Sequence, residues 1–116
     1  MKYISTRSAS VVGSFENALF SGYASDGGLF VPERLPTVQQ DDLESLSQLT
    51  YVDLAFALLR RFVSVDEIPN EDLQEICKQA FEGFHDPSHA VPVVKVGSLY
   101  VAELFHGPTF CFKDLG

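Results

Sequence analysis

A sharp turn near the amino terminus places the strongest limit on how this chain can fold. The segment Asp26-Gly27-Gly28 favours positive φ angles that glycine alone adopts at low cost. It is therefore predicted to turn the chain into the extended run Leu29–Val31. A second segment, Lys2–Thr6, alternates and contains β-branched and aromatic residues, which predicts another short strand.

Four helices are predicted after the first strand, at roughly 15–20, 41–49, 51–63 and 71–82. Three of them are preceded by residues that cap helices well, namely Ser14, Thr50 and Asn70. The third helix is apolar around much of its circumference, which predicts burial on more than one side. The fourth is amphipathic, and its apolar face is expected to comprise Leu73, Ile76, Cys77, Ala80 and Phe81.

The last third of the chain contains a predicted β-hairpin. Val91–Val96 and Leu99–Leu104 are rich in β-forming residues and are joined by Gly97-Ser98, a two-residue hairpin signal. The order of strand, helices, hairpin and loop is typical of the opening of an α/β enzyme. A length of 116 residues fits one domain with a modest core, so a single domain over residues 1–116 is expected.

Charge and cysteine content exclude several classes of partner. A net charge of −8 argues against a nucleic acid or an anionic membrane as partner. Cys77 and Cys111 match neither a disulfide framework nor a zinc pattern, so no metal site is predicted. Reduced thiols, together with the lack of a secretory signal within Met1–Ser10, favour a cytoplasmic protein with a small-molecule partner. The sequence does not indicate an oligomeric state.

Lys113 is the strongest candidate for chemistry. It follows a Gly107-Pro108 loop, lies between apolar flanks, and is one of only eight basic residues. In a partly dry pocket beside a helix start, a lysine amine is more available as a nucleophile or base, including toward the aldehyde of pyridoxal phosphate. His106 and Thr109 lie close upstream. Spacing alone leaves open that Lys113 and Asp114 form an ordinary surface ion pair.

Three sequence blocks, in order, give a more specific interpretation. Glu103–Thr109 followed by Phe112-Lys113-Asp114 resembles the lysine motif of threonine synthases and threonine-synthase-like proteins. Tyr3 with Ser5-Thr6-Arg7 resembles the N-terminal signature of that family. Asp26–Pro32 resembles its Asp-Gly-Gly-Leu-Phe-Val-Pro segment. The resemblance covers about the first quarter of a typical member, so we expect an N-terminal domain truncated just after the lysine motif.

The resemblance implies a pyridoxal-phosphate-dependent lyase of the α/β fold type II, the fold of tryptophan synthase β. Lys113 would form the Schiff base with the cofactor and then move protons. Phe112 would wall the cofactor pocket, and Thr109 and His106 would be substrate-pocket candidates. The implied substrate is a small phosphorylated amino acid, O-phosphohomoserine, which reacts with water to give threonine and phosphate.

The sequence leaves two alternatives open. One is a phospho-lyase that converts O-phosphohomoserine or O-phosphothreonine into a 2-oxo acid, and the other is a non-catalytic module that retains the signature. The chain lacks the dense glycine loop that a cofactor phosphate normally needs. We therefore expect residues 1–116 alone to be inactive and to bind pyridoxal phosphate weakly or not at all.

Overall fold

A small antiparallel sheet opens the fold. The structure is a computed structural model that describes all 116 residues. Its strands, in the spatial order β2-β1-β3, are β1 (Tyr3–Ser5), β2 (Val12–Gly13) and β3 (Phe30–Pro32). Both strands predicted in this region are present, and they pair with each other in antiparallel register. The β2 strand was not predicted, because two residues are too few to produce an alternating pattern.

The predicted turn at Asp26-Gly27-Gly28 is present and is fixed to β1. Gly27 has a φ of 77°, which glycine adopts without strain. Asp26 Oδ1 accepts hydrogen bonds from the Ser5 hydroxyl, at 2.7 Å, and from the Gly28 N–H, at 2.9 Å. A Cβ at position 28 would collide with the buried Ser5 hydroxyl oxygen. The second glycine is therefore required by close packing, whereas the first is required by backbone conformation.

The four predicted helices are all present: α1 (Phe15–Ser21), α2 (Gln40–Leu46), α3 (Tyr51–Leu59) and α4 (Asn70–Phe81). Two of the predicted caps are confirmed, since Ser14 and Thr50 accept hydrogen bonds from the backbone N–H three residues later. The third is wrong. Pro69 occupies the capping position of α4, and the Asn70 side chain instead accepts a hydrogen bond from the Arg60 guanidinium at 3.1 Å.

The extent and the burial of α3 differ from the prediction. The helix ends at Leu59 rather than near residue 63, and none of its residues is fully buried. The Arg60 guanidinium donates to the carbonyls of Val63 and Ile68, which holds the following residues in a turn instead of a helix. On α4 the predicted face is narrower than expected: Leu73, Cys77 and Phe81 are buried, whereas Ile76 and Ala80 are exposed.

The predicted hairpin is confirmed with shorter strands. β4 (Val93–Val96) and β5 (Leu99–Ala102) pair antiparallel around a turn in which Gly97 has a φ of 61°. Two short 3-10 turns complete the fold, at Pro87–His89 and at Phe112–Leu115. We call the second the lysine turn. None of the helices combines the length and apolar character required to cross a bilayer.

The main core joins the helices to the end of the chain. Phe81, Phe84 and Ala90 form its buried centre, and the partly buried Tyr51, Val52, Ala55 and Leu115 pack against them. Phe81 makes edge-on contacts with the rings of Tyr51 and Phe84, at centroid distances of 5.0 and 5.2 Å. Since Leu115 belongs to the lysine turn, the core directly supports the segment that carries Lys113.

The molecule is more open than a monomer of its mass normally is. Its accessible surface is 8259 Å², whereas a 12.8 kDa globular monomer is expected to expose about 6,300 Å². Its radius of gyration is 16.4 Å, against about 13 Å for a compact chain of this length. The hairpin contributes much of the excess, since Val93, Val96, Leu99 and Tyr100 are each at least 60% exposed.

Candidate functional site

The lysine turn presents Lys113 at the surface. The turn is closed by a hydrogen bond from the Asp114 N–H to the Cys111 carbonyl, at 3.0 Å, and Leu115 attaches it to the core. Lys113 is exposed and lines none of the cavities of the molecule. Residues 1–116 by themselves form no partly dry pocket around this amine, and the neighbouring Phe112 is exposed as well. The predicted pocket therefore stays a prediction for the whole enzyme.

The amine of Lys113 has no partner within the protein. The three ion pairs of the structure join Arg61 to Asp42, His89 to Asp86 and His106 to Glu103. The surface ion pair between Lys113 and Asp114, which the sequence left open, is not formed. The ammonium or amine group is consequently available to a ligand without first breaking an internal contact.

Asp114 is instead bound by Thr109. The Thr109 backbone N–H donates to Asp114 Oδ2 at 2.9 Å, and the Thr109 hydroxyl donates to Asp114 Oδ1 at 2.6 Å. These two hydrogen bonds lower the pKa of Asp114, with the hydroxyl contributing most, so its carboxylate is ionised at neutral pH. A Cβ at position 107 would lie 2.6 Å from Asp114 Cβ, so only glycine leaves room for this side chain. Together these contacts close the loop 107–114.

Two phenylalanines at the start of the lysine turn and just before it are exposed. Phe112 has 63% of its surface exposed, and Phe110 has 80%. Phe110 also has a φ of 57°, in the left-handed region that a bulky residue rarely occupies, and its N–H donates to the Gly107 carbonyl at 3.1 Å. Both phenylalanines thus lie within three positions of Lys113 in the sequence, and both are largely exposed.

His106 and Thr109 have different partners in the structure. His106 Nε2 lies 2.7 Å from Glu103 Oε2, and about three quarters of the His106 side chain is covered. His106 lines a cleft of about 290 Å³ together with His85, Asp86, His89 and Pro92. All three histidines of the chain thus meet at one cleft, a grouping that the sequence did not predict because the loops that carry them are separated by the hairpin. Thr109 does not line this cleft.

One group of this site, the Lys113 amine, fits the chemistry of pyridoxal phosphate. An unpaired, exposed primary amine on a turn attached to the core is suited to covalent attachment of an aldehyde. The chain has no dense glycine loop of the kind that a cofactor phosphate normally needs. No group of three or more His, Cys, Asp or Glu side chains has the geometry to hold a metal ion.

Comparisons with known proteins agree over nearly the whole chain. Residues 2–81 match the family model described as threonine synthase N terminus. Threonine synthase of Saccharomyces cerevisiae is 42% identical over 97% of this chain, and threonine synthase-like 2 of Xenopus laevis is 41% identical over 99%. The crystal structure of a PLP-bound threonine synthase from Brucella melitensis superimposes with a TM-score of 0.91 at 38% identity, covering 98% of this chain and 24% of that one. The chain spans about a quarter of the length of these relatives: 23% and 24% of the two sequences.

Proposed function

This chain belongs to the threonine synthase family, whose N-terminal region it matches, and from that premise we propose that it supplies the catalytic lysine of a pyridoxal-phosphate-dependent lyase. The observation that carries the proposal is the free amine of Lys113 on a turn fixed to the core by Leu115. The mixed α/β fold is shared with threonine synthases, and fold type II for the whole enzyme is part of the proposal.

Lys113 would hold the cofactor through its Nζ, and Phe112 would form a wall of the cofactor pocket. Pyridoxal phosphate, when bound, supplies an electron sink for a negative charge that develops on the substrate. After substrate binding, the Lys113 amine would take up and return protons as a general base and acid. Thr109 would fix the loop that leads into the lysine turn and, like His106, would be a substrate-pocket candidate. His106 lines a cleft that includes neither Thr109 nor Lys113.

We propose O-phosphohomoserine as substrate and threonine with phosphate as products. The names of two relatives, both threonine synthases, support threonine as the product. A second candidate has a specific observation in its favour: threonine synthase-like 2 proteins match this chain as well as threonine synthases do, at 41% and 42% identity. That candidate is a phospho-lyase that yields a 2-oxo acid from O-phosphohomoserine or O-phosphothreonine.

An assay of the full-length protein with both phosphorylated amino acids tests the proposal. With pyridoxal phosphate present, we expect phosphate release from O-phosphohomoserine in equal amount to threonine, measured by a phosphate assay and by proton NMR of the organic product. A 2-oxo acid in place of threonine would select the phospho-lyase. Absence of phosphate release from both compounds, together with absence of bound cofactor, would contradict both and leave a non-catalytic module.

We also propose that residues 1–116 form the N-terminal domain of a longer enzyme. Three observations support this: the chain spans about a quarter of its relatives, it exposes about 2,000 Å² more than a compact monomer would, and most apolar side chains of its hairpin are exposed. An excess of that size is comparable to a permanent protein interface. Two unpaired cysteines, Cys77 and Cys111, support a cytoplasmic location.

The residues of this domain alone are expected to hold pyridoxal phosphate weakly, because they provide the amine without a phosphate cradle. Titration of the 116-residue polypeptide with pyridoxal phosphate, followed by absorbance and equilibrium dialysis, should give no saturation in the micromolar range. Tight binding of one cofactor per chain would show that the phosphate site lies within these residues after all.

A further inference from the structure

We propose that Thr109 is a positioning residue that keeps Asp114 from pairing with the neighbouring Lys113 and so leaves the lysine amine free. The proposal rests on the proposed function only in taking Lys113 as the reactive amine. Its physical content is a competition between two partners, Thr109 and Lys113, for one carboxylate. That competition can be measured with or without a cofactor.

The geometry favours Thr109 in this competition. Both carboxylate oxygens of Asp114 accept from Thr109, at 2.9 Å from the backbone N–H and at 2.6 Å from the hydroxyl. Hydrogen bonds of a neutral donor to an ionised oxygen are roughly twice as strong as neutral ones. An exposed Lys–Asp contact is worth little, because solvent screens it and the long lysine side chain loses entropy. Thr109 therefore holds the carboxylate although a cation is adjacent in sequence.

Packing around Asp114 reinforces the arrangement. Gly107 leaves the space in which the carboxylate reaches Thr109, since any side chain at position 107 would overlap Asp114. On the other side, Leu115 packs against the core next to Phe81 and Phe84. Asp114 and Leu115 are thus held in place, whereas the side chain of Lys113 is exposed.

Removal of the Thr109 hydroxyl should release the carboxylate. In Thr109→Val the side chain keeps its size, but Asp114 Oδ1 loses its donor and becomes available to Lys113. An ion pair stabilises the ammonium form and lowers the fraction of reactive amine. Thr109→Ser keeps the hydroxyl and serves as the matched control. Asp114→Asn removes the charge with which Lys113 would pair.

The test is competitive acetylation by acetic anhydride near pH 8 of the full-length protein from which hydroxylamine and dialysis have removed any pyridoxal phosphate. Peptide mass spectrometry then compares Lys113 with the exposed Lys95 on β4. We expect Thr109→Val to slow labelling of Lys113 relative to Lys95 by roughly two- to fivefold, and Thr109→Ser to match the wild type. The double variant Thr109→Val with Asp114→Asn should regain the wild-type rate, because no carboxylate remains to pair with the amine.

Two results would overturn the inference: an unchanged relative rate in Thr109→Val, or a slowed rate that the second substitution fails to restore. The latter would mean that disorder of the loop, rather than pairing with Asp114, controls the amine. Acetylation requires no cofactor, so the expected pattern can be observed even if the enzyme assay detects no phosphate release. The two proposals are therefore tested separately.

Discussion

Replacement of Lys113 by alanine in the full-length enzyme should abolish covalent attachment of pyridoxal phosphate and reduce turnover by at least about 10²–10⁴-fold. The amine is the only group of the lysine turn that can attack the cofactor aldehyde, and it is also the proposed acid and base. Borohydride reduction makes the attachment permanent, and peptide mass spectrometry then locates it. In the wild type we expect the added mass on the peptide that contains Lys113.

Lys95→Ala is the matched control for this experiment. Lys95 is also exposed, but it lies on the hairpin, where its Nζ is 5.7 Å from the centroid of the Tyr100 ring. We expect its removal to leave both the attachment and the turnover near wild-type values. If the Lys113→Ala enzyme still carried the cofactor covalently at one equivalent, Lys113 would not be the attachment residue, whatever its effect on rate.

Phe81→Ala is expected to destabilise the protein by about 3–5 kcal/mol, the cost of deleting a buried aromatic ring. Phe81 packs on Tyr51 and Phe84 in the main core, and Leu115 of the lysine turn packs against the same cluster. Since typical domains are stable by only about 5–15 kcal/mol, the substitution should remove much of the stability. It should also loosen the support of Lys113.

The control for this prediction lies on the same helix. Ile76 is 51% exposed, so Ile76→Ala should cost much less, about 1 kcal/mol or below. Urea unfolding followed by circular dichroism gives the two free energies under identical conditions. Equal losses in the two variants would mean that the cluster around Phe81 does not form the main core.

Local signals in the sequence predicted much of this fold correctly. The glycine turn before β3, the caps at Ser14 and Thr50 and the two-residue hairpin all depend on residues within three or four positions of one another. Such interactions are chosen by backbone conformation and are visible in a single sequence.

The errors arose where a distant side chain decided the structure. Arg60 ends α3 by donating to carbonyls three and eight residues ahead, and it also engages Asn70 and thereby removes the expected cap of α4. The spacing of apolar residues along the sequence does not indicate such contacts. β2 escaped prediction because strand pairing, rather than its own two residues, defines it.

The site shows the same division between local and distant effects. The lysine motif singled out Lys113 as the candidate for chemistry, and the predicted loop at Gly107-Pro108 is present. The partly dry surrounding stays a prediction, because it depends on which other segments cover Lys113, and within residues 1–116 the side chain is exposed. The bonding of Asp114 to Thr109 was also missed, because an acid five residues after a threonine in a loop has no characteristic pattern.

The backbone of Phe110 has an evolutionary consequence. A bulky residue in left-handed conformation costs of order 1–2 kcal/mol, which glycine or asparagine at this position would largely avoid. Phe110 is 80% exposed, so burial of its ring within this domain offsets little of that conformational cost. Selection for folding alone would therefore drift toward glycine at position 110. A phenylalanine kept at this position would indicate selection for a contact of the ring in the whole enzyme. Replacement by glycine in related sequences would instead indicate selection for folding stability alone.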